Sequence, residues 1–224
     1  MSRPLAILRP EPGNAATVVR VRKAGLLPIP VPLFEVRPLD WMPPDSARFD
    51  GLLLTSANAV RHGGAGLLDL RCLPVLAVGA ATAEAARATG FVVARTGTSD
   101  LRDLLHDATR FRRLLWLAGR DRTVTDHPAL AATIPVYGSD PLLLAETDAA
   151  ALRGSVALIH SARAGEQLAH QLDRHGIARA ELRIAAISTG AAEAAGPGWD
   201  AVAIAAAPDD DALIAAAHPL AIDP

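Results

Sequence analysis

Thr133-Ile134-Pro135-Val136-Tyr137-Gly138-Ser139-Asp140-Pro141 decides how the chain is divided. Ile, Val and Tyr favour an extended backbone, and the two prolines exclude a helix. The stretch holds the only tyrosine among the 224 residues. Alternating strand-like and helix-like segments lie on both sides of it. It therefore reads as a connector between two lobes, with a functional side chain aimed at the space between them.

Working outward, the segment before it alternates apolar runs with helical ones. Leu52 to Leu54, Val75 to Val78, Phe91 to Ala94 and Leu114 to Leu117 read as buried strands. Helices are expected over Ala83 to Thr89 and Asp100 to Thr109, while Arg122 to Ala132 has no clear period. After the connector come a helix at Ala149 to Arg153, a strand at Val156 to Ile159 and a helix at Ala164 to His175. A strand at Ile184 to Ile187, a short helix, a strand at Ala201 to Ala205 and a helix from Asp209 to Ala217 follow. At the other end, Leu5 to Leu8 reads as a strand and Ala15 to Ala24 as a helix with Asn14 as its N-cap. Leu26 to Leu33 carries prolines at 28, 30 and 32, which fits an edge strand or a free-standing crossing segment.

Continuous apolar strands alternating with helices mean parallel sheets covered on both faces. Leu54-Thr55-Ser56-Ala57 resembles Ile159-His160-Ser161-Ala162 at an offset of 105, and Ala77-Val78-Gly79 resembles Ala186-Ile187-Ser188 at an offset of 109. Two short matches in the same order imply duplicated α/β lobes. Ligands in such sheets bind beyond the carboxyl ends of the strands, so a cleft between the lobes is expected.

Composition narrows the function. The net charge of −2 excludes a strongly basic nucleic-acid binder, and half the residues are hydrophobic, enough for a sizeable core. Lys23 is the only lysine among 22 basic residues, so arginine, the better fork for carboxylates and phosphates, dominates. Cys72 is alone, which leaves no intrachain disulfide and no cysteine metal cluster. The apolar run near the N-terminus is too short for a signal peptide or a membrane span, so a soluble cytoplasmic protein is expected. There is no dinucleotide fingerprint, phosphate loop, nucleophile elbow or His-x-x-x-His pair, hence no support for metal or covalent chemistry.

The small polar residues after the strands remain as candidates. Thr55-Ser56, Gly79 to Thr82, His160-Ser161 and Ser188-Thr189 place N–H groups and hydroxyls at helix starts, where carboxylates or phosphates bind. Any one of these hydroxyls also serves simply as a helix cap. Arg9, Arg120 and Arg163 follow strands and could reach the same space, and Tyr137 is a candidate proton donor.

These residues together resemble the uroporphyrinogen-III synthase family. The resemblance runs through the strand ending in Arg9-Pro10, the box Leu54-Thr55-Ser56-Ala57-Asn58-Ala59-Val60, and Val78-Gly79-Ala80-Ala81-Thr82-Ala83 with Gly90. It continues through Gly119-Arg120, Val136-Tyr137 and the turns near Ser161 and Ile187. It implies two Rossmann- or flavodoxin-like parallel-sheet lobes joined by a two-stranded antiparallel linker. One lobe would combine 1–35 with 139–224, the other would span 38–134, and linker strands would lie near 29–38 and 133–141. The implied reaction closes hydroxymethylbilane, a linear tetrapyrrole with many carboxylates, with loss of water and inversion of the terminal pyrrole ring. No metal or cofactor is implied, nor any nucleic-acid or membrane partner, and a monomer is expected. Tyr137 would be the proton donor. Arg9, Thr55, Ser56, Ala57, Gly79, Thr82, Gly119, Arg120, His160, Ser161, Ser188 and Thr189 would hold the substrate. Three departures stand out: Ala191 where the family has threonine, His160 where it has threonine before Ser161, and no glycine between Arg120 and Val136. The alternative function is a non-catalytic two-lobed binding protein for an anionic small molecule.

Overall fold

Three prolines at alternate positions explain where the first sheet stops. In the computed structural model, which describes residues 2–97, 101–107, 110–122 and 126–222, β1 (Leu5–Ile7) leads through α1 (Gly13–Lys23) to β2 (Pro28–Pro30). β2 lies parallel to β1 at the sheet edge, with Val31 N–H donating to Ile7 O. Residues 29 and 31 thus face β1, and the prolines fall where an N–H would point away from it. Asn14 is the second residue of α1 rather than its N-cap; its Nδ2 donates to Ile7 O at 2.8 Å and Arg9 O at 3.0 Å. That pair of bonds closes the β1–α1 loop from inside.

The chain continues through β3 (Phe34–Pro38), β4 (Gly51–Leu54), α2 (Ala57–His62), β5 (Val75–Val78), α3 (Ala80–Ala88), β6 (Val93–Gly97), α4 (Leu101–Asp107), β7 (Leu114–Gly119) and β8 (Leu130–Pro141). Then follow α5 (Glu146–Ala151), β9 (Val156–Ile159), α6 (Ala162–Arg174), β10 (Arg183–Ala186), α7 (Thr189–Ala195), β11 (Ala201–Ile204) and α8 (Asp210–Ile222). The helix expected over Asp100 to Thr109 is α4 where described; Asp100, Ala108 and Thr109 lie outside the described residues, as do residues 123–125 of the unperiodic stretch. The end of that stretch is strand, because β8 begins at Leu130.

The chain divides into two compact units, Met1–Glu35 with Pro141–Pro224, and Val36–Asp140. It passes between them twice, in β3 and at the end of β8. Leu39 N–H donates to Val136 O at 3.0 Å and Leu142 N–H to Leu33 O at 2.9 Å, so β3 and β8 run in opposite directions. The segment 29–38 therefore holds two strands with different partners, β2 on β1 and β3 on β8.

Both sheets have parallel neighbours throughout their interiors, in the orders β11-β10-β9-β1-β2 and β3-β8-β7-β4-β5-β6. Side chains alternate between faces: Leu5 and Ile7 pack on one side of β1 against α1 and α8, and Ala6 and Leu8 on the other. Likewise Leu52 and Leu54 face one layer and Leu53 the opposite one. Every strand from β4 to β10 that reads as a continuous apolar run is covered on both faces, which is why the runs do not alternate in polarity.

The repeat acquires a topological meaning. β9, β10 and β11 follow one another in space as β4, β5 and β6 do, and β1 and β2 stand where β7 and β8 stand. The two sheets are circular permutations of one plan, with the first two strands of one unit matching the last two of the other. In each sheet the winding direction reverses at one point, between β1 and β9 and between β7 and β4. Those reversal points, at the carboxyl ends, are where ligands bind in open α/β sheets.

Candidate functional site

In the Val36–Asp140 unit, strand register aligns three of the sequence candidates. Leu54 pairs with Leu117, so Ser56 stands level with Gly119, and Gly119 pairs with Tyr137. The row lies at the carboxyl ends of β4 and β7 and inside β8, where its pairing with β7 stops. Gly119 is required there: a Cβ would sit 2.9 Å from Tyr137 Cζ and 3.0 Å from its hydroxyl oxygen. The Tyr137 ring packs against the apolar layer that includes Leu54, Val60, Leu117 and Val136. Its hydroxyl has no hydrogen-bond partner among the described residues.

Arg120 follows on β7. Its N–H donates to Tyr137 O at 2.8 Å, and its guanidinium binds Asp140 at 2.5 Å and Asp121 at 3.2 Å. The hydrogen bonds to Asp140 and then Asp121 raise its pKa further, so its charge is permanent. Asp121 also accepts from Ser139 N–H at 3.0 Å, tying the end of β7 to β8. The guanidinium lies over Gly138, where a Cβ would be 2.9 Å from Cζ. Paired glycines, Gly119 and Gly138, thus bed the tyrosine ring and the guanidinium side by side.

The serines cap helices as the simpler reading expects. Ser56 Oγ accepts from Asn58 N–H at 3.2 Å, Ser161 Oγ from Ala164 N–H at 3.2 Å, and Ser188 Oγ from Ala191 N–H at 3.3 Å. Capping uses a lone pair and leaves the hydroxyl proton, so each serine can still donate to a carboxylate. Thr55 Oγ1 accepts from Trp116 Nε1 at 3.2 Å, and Ala57 is buried as the first residue of α2. Gly79, at φ 82°, starts α3 without a side-chain cap, which leaves first-turn N–H groups for a ligand, whereas Thr82 is buried within that helix. Thr189 is exposed beside Ser188 at the start of α7.

Two residues, one in each unit, escaped the sequence reading. His62, the last residue of α2, faces Tyr137 with ring centroids 6.4 Å apart and planes tilted by 35°. Burial, and then the charge of Arg61, lowers its pKa, so the ring beside Tyr137 is neutral at pH 7. Nothing in its helical position distinguishes it in sequence. The second is Asp210, in the other unit.

Ile7 pairs with Leu158, so Arg9 and His160, each two residues further on, emerge side by side from β1 and β9. Both reach Asp210, the first residue of α8. Oδ1 accepts from Arg9 Nη1 at 2.8 Å and faces His160 Nε2 at 3.0 Å; Oδ2 accepts from Thr17 Oγ1 at 2.7 Å and Arg20 Nη1 at 2.8 Å. The His160 ring is largely buried, with Nδ1 3.3 Å from Leu158 O, so it serves Asp210 rather than solvent. Burial pushes the Asp210 carboxyl up, but bonds from His160 and Thr17 and the charge of Arg9 outweigh this and hold it well below the usual carboxylate range. The depressed value makes its stabilisation fully present above the unfolded value of about 3.9 and progressively lost as pH falls below that. Asp210→Asn is expected to cost about 2 kcal/mol at pH 7, or about 4–8 °C in melting temperature, with the gap closing toward pH 3. Parallel melts at pH 7 and pH 3 check this; an equal gap at both would remove the carboxylate charge as the cause.

A family model described as uroporphyrinogen-III synthase HemD matches residues 15–215. The chain belongs to the uroporphyrinogen-III synthase family. These enzymes are cyclising lyases of heme biosynthesis, acting on a tetrapyrrole. The structure of uroporphyrinogen-III synthetase from Helicobacter pylori is similar in fold, with a TM-score of 0.65 at 16% identity over 97% of this chain and 99% of that one. A mutant uroporphyrinogen III synthase from Thermus thermophilus aligns at 18% identity over 89% of this chain and 92% of that one, with a TM-score of 0.48. At that score it adds nothing to the fold assignment. No curated protein sequence matches the chain. Among the described residues, no helix of this synthase-family protein is long and apolar enough to cross a membrane.

Proposed function

We propose that the chain closes hydroxymethylbilane to uroporphyrinogen III, with Tyr137 as the proton donor. The carrying observation is the Ser56–Gly119–Tyr137 row at the carboxyl ends of β4 and β7, where β8 stops pairing with β7, and in it the tyrosine hydroxyl has no partner among the described residues. A donor without a partner among the described residues is available to the substrate. The Tyr137 proton goes to the departing hydroxyl of the bilane, which leaves as water. The attacked pyrrole carbon later loses a proton to the tyrosinate, so the enzyme is restored and one water is released overall. Tyr137 provides acid assistance, while binding imposes the inversion. Carboxylates of the substrate are held by the proton side of the Ser56, Ser161 and Ser188 hydroxyls, by Thr189, by first-turn N–H groups of α3, and by Arg9 and Arg120. Of the remaining candidates, Ala57 and Thr82 are buried, Thr55 accepts from Trp116 and His160 faces Asp210. The chain is proposed to act as a cytoplasmic monomer.

Free hydroxymethylbilane cyclises spontaneously to the non-inverted isomer, so the product reports catalysis directly. Purified protein should yield the inverted isomer in excess, measured by chromatography of the oxidised porphyrins. If only the non-inverted isomer forms, the catalytic reading is lost and a non-catalytic anion-binding protein takes its place.

A further inference from the structure

A pocket of about 370 Å³ opens at the winding reversal of the sheet that contains β1 and β9, lined by Arg9, Gly13, Arg20, His160, Ile187 and Asp210. We propose that Asp210 is a positioning residue that holds Arg9 and Arg20 as the two jaws of a carboxylate subsite in this pocket. The inference rests on the proposed function, because the ligand it implies is one carboxylate-bearing arm of the tetrapyrrole.

Four groups converge on Asp210, two on each oxygen, which fills its acceptor sites and fixes its orientation. They are not equivalent. Thr17 and His160 hold the carboxylate from the interior, where Thr17 is fully buried and the His160 side chain is 9% exposed. Arg9 and Arg20 hold it from the pocket side, with side chains 35% and 47% exposed. Each arginine gives Asp210 one terminal nitrogen, and a guanidinium has five N–H donors. The remaining donors are therefore oriented but not used up by this carboxylate. Two guanidinium charges share one buried carboxylate, so one positive charge is left over among these three groups. Two further acids stand nearby: Asp209, which also lines the pocket, turns one oxygen to the start of α8, accepting from Ala212 N–H at 2.8 Å, and Asp211 is 3.7 Å from Arg20 Nε but 89% exposed, where water screens the pair.

The fold holds the jaws in place by other means too. Asn14 grips the Arg9 carbonyl, and Arg9 lies so close over Gly13 that a Cβ there would be 2.4 Å from Nε. Without Asp210 the two guanidinium groups would repel each other and turn to solvent. Arginine forks bind carboxylates bidentately, but only when oriented.

The test is a fluorescence titration of the full chain with uroporphyrin III, alongside steady-state turnover of hydroxymethylbilane. Asp210→Asn should raise both the porphyrin Kd and the bilane KM about tenfold, with kcat within about threefold of wild type. Arg9→Ala and Arg20→Ala should each do the same. Adding Asp210→Asn to the Arg9→Ala/Arg20→Ala double variant should cause no further loss, since its effect acts through them. Asp200→Asn, which breaks the Arg183 ion pair elsewhere in the same unit, is the stability control and should leave Kd unchanged. A folded Asp210→Asn with wild-type Kd overturns the inference, as does unaltered binding by Arg20→Ala, whose exposed side chain makes misfolding no explanation. A loss in Asp200→Asn equal to that in Asp210→Asn overturns it as well. Wild-type protein that neither binds the porphyrin nor converts the bilane removes the proposed function, and the subsite falls with it. Normal turnover with an unresponsive Asp210→Asn removes the subsite alone.

Discussion

Tyr137→Phe should slow formation of the inverted product about 100-fold, the scale of a lost general acid, while leaving substrate affinity near wild type. The spontaneous reaction continues at its own rate, so the product mixture should shift toward the non-inverted isomer. Packing gives no competing explanation. The ring contacts survive the change, because phenylalanine refills the space over Gly119 and beside the apolar layer of Leu54 and Val136. The lost hydroxyl has no partner among the described residues, so its removal orphans no buried group there. Stability should therefore move by less than about 1 kcal/mol. His62 is neutral beside the ring and supplies no charge that could replace the hydroxyl. Quenched time courses, analysed for both isomers beside urea melts, separate the outcomes. A rate equal to wild type would make Tyr137 a packing residue of β8. A large stability loss with a matching rate loss would make it structural.

The strands were legible because they are covered on both faces: β4, β5, β7 and β9 each fall on an uninterrupted apolar run, and β10 does so after Arg183. The turn residues were legible because serine at a strand end is both a cap and a donor, and Ser56, Ser161 and Ser188 all stand there. The pairing of Arg9 and His160 through Asp210 was not legible. It depends on β1 lying beside β9, and on α8 beginning over both, and strand order is not written in the local pattern. The circular permutation hides it further, since the matching strands of the two sheets occur in different chain order. β8 begins earlier than expected because Leu130 and Ala132, the latter a weak strand former, are carried by pairing with β7. α8 runs past Ala217 and through Pro219 because Ala221 is anchored in the apolar layer behind the sheet. In both places tertiary packing overrides a local preference.

Gly165 was equally silent in sequence, since a glycine inside α6 looks like a weak point. In the fold it is a contact point: a Cβ there would lie 2.8 Å from the Ala191 carbonyl oxygen and 2.9 Å from the Ala195 nitrogen. Both are backbone atoms of α7, so no side-chain rotation relieves the clash. Two effects then oppose each other in Gly165→Ala. Replacing glycine by alanine in a helix interior favours the helix by about 1 kcal/mol. Forcing a methyl group against backbone costs about 1–3 kcal/mol and moves the neighbouring helix. The second effect should win, with a net loss of about 2 kcal/mol in urea unfolding. Gly190 provides the comparison, because it lies in α7 with nothing within 4 Å of its Cβ position. Gly190→Ala should hold or gain up to about 1 kcal/mol. The same displacement bears on function. α7 is the helix that Ser188 caps, so pushing it from α6 moves Ser188 and Thr189 together. Gly165→Ala should then weaken binding of the carboxylated substrate in protein that is still folded. Equal stability for both alanine variants would mean that α6 and α7 separate without cost, and the close approach at Gly165 would lose its role in setting the Ser188 turn.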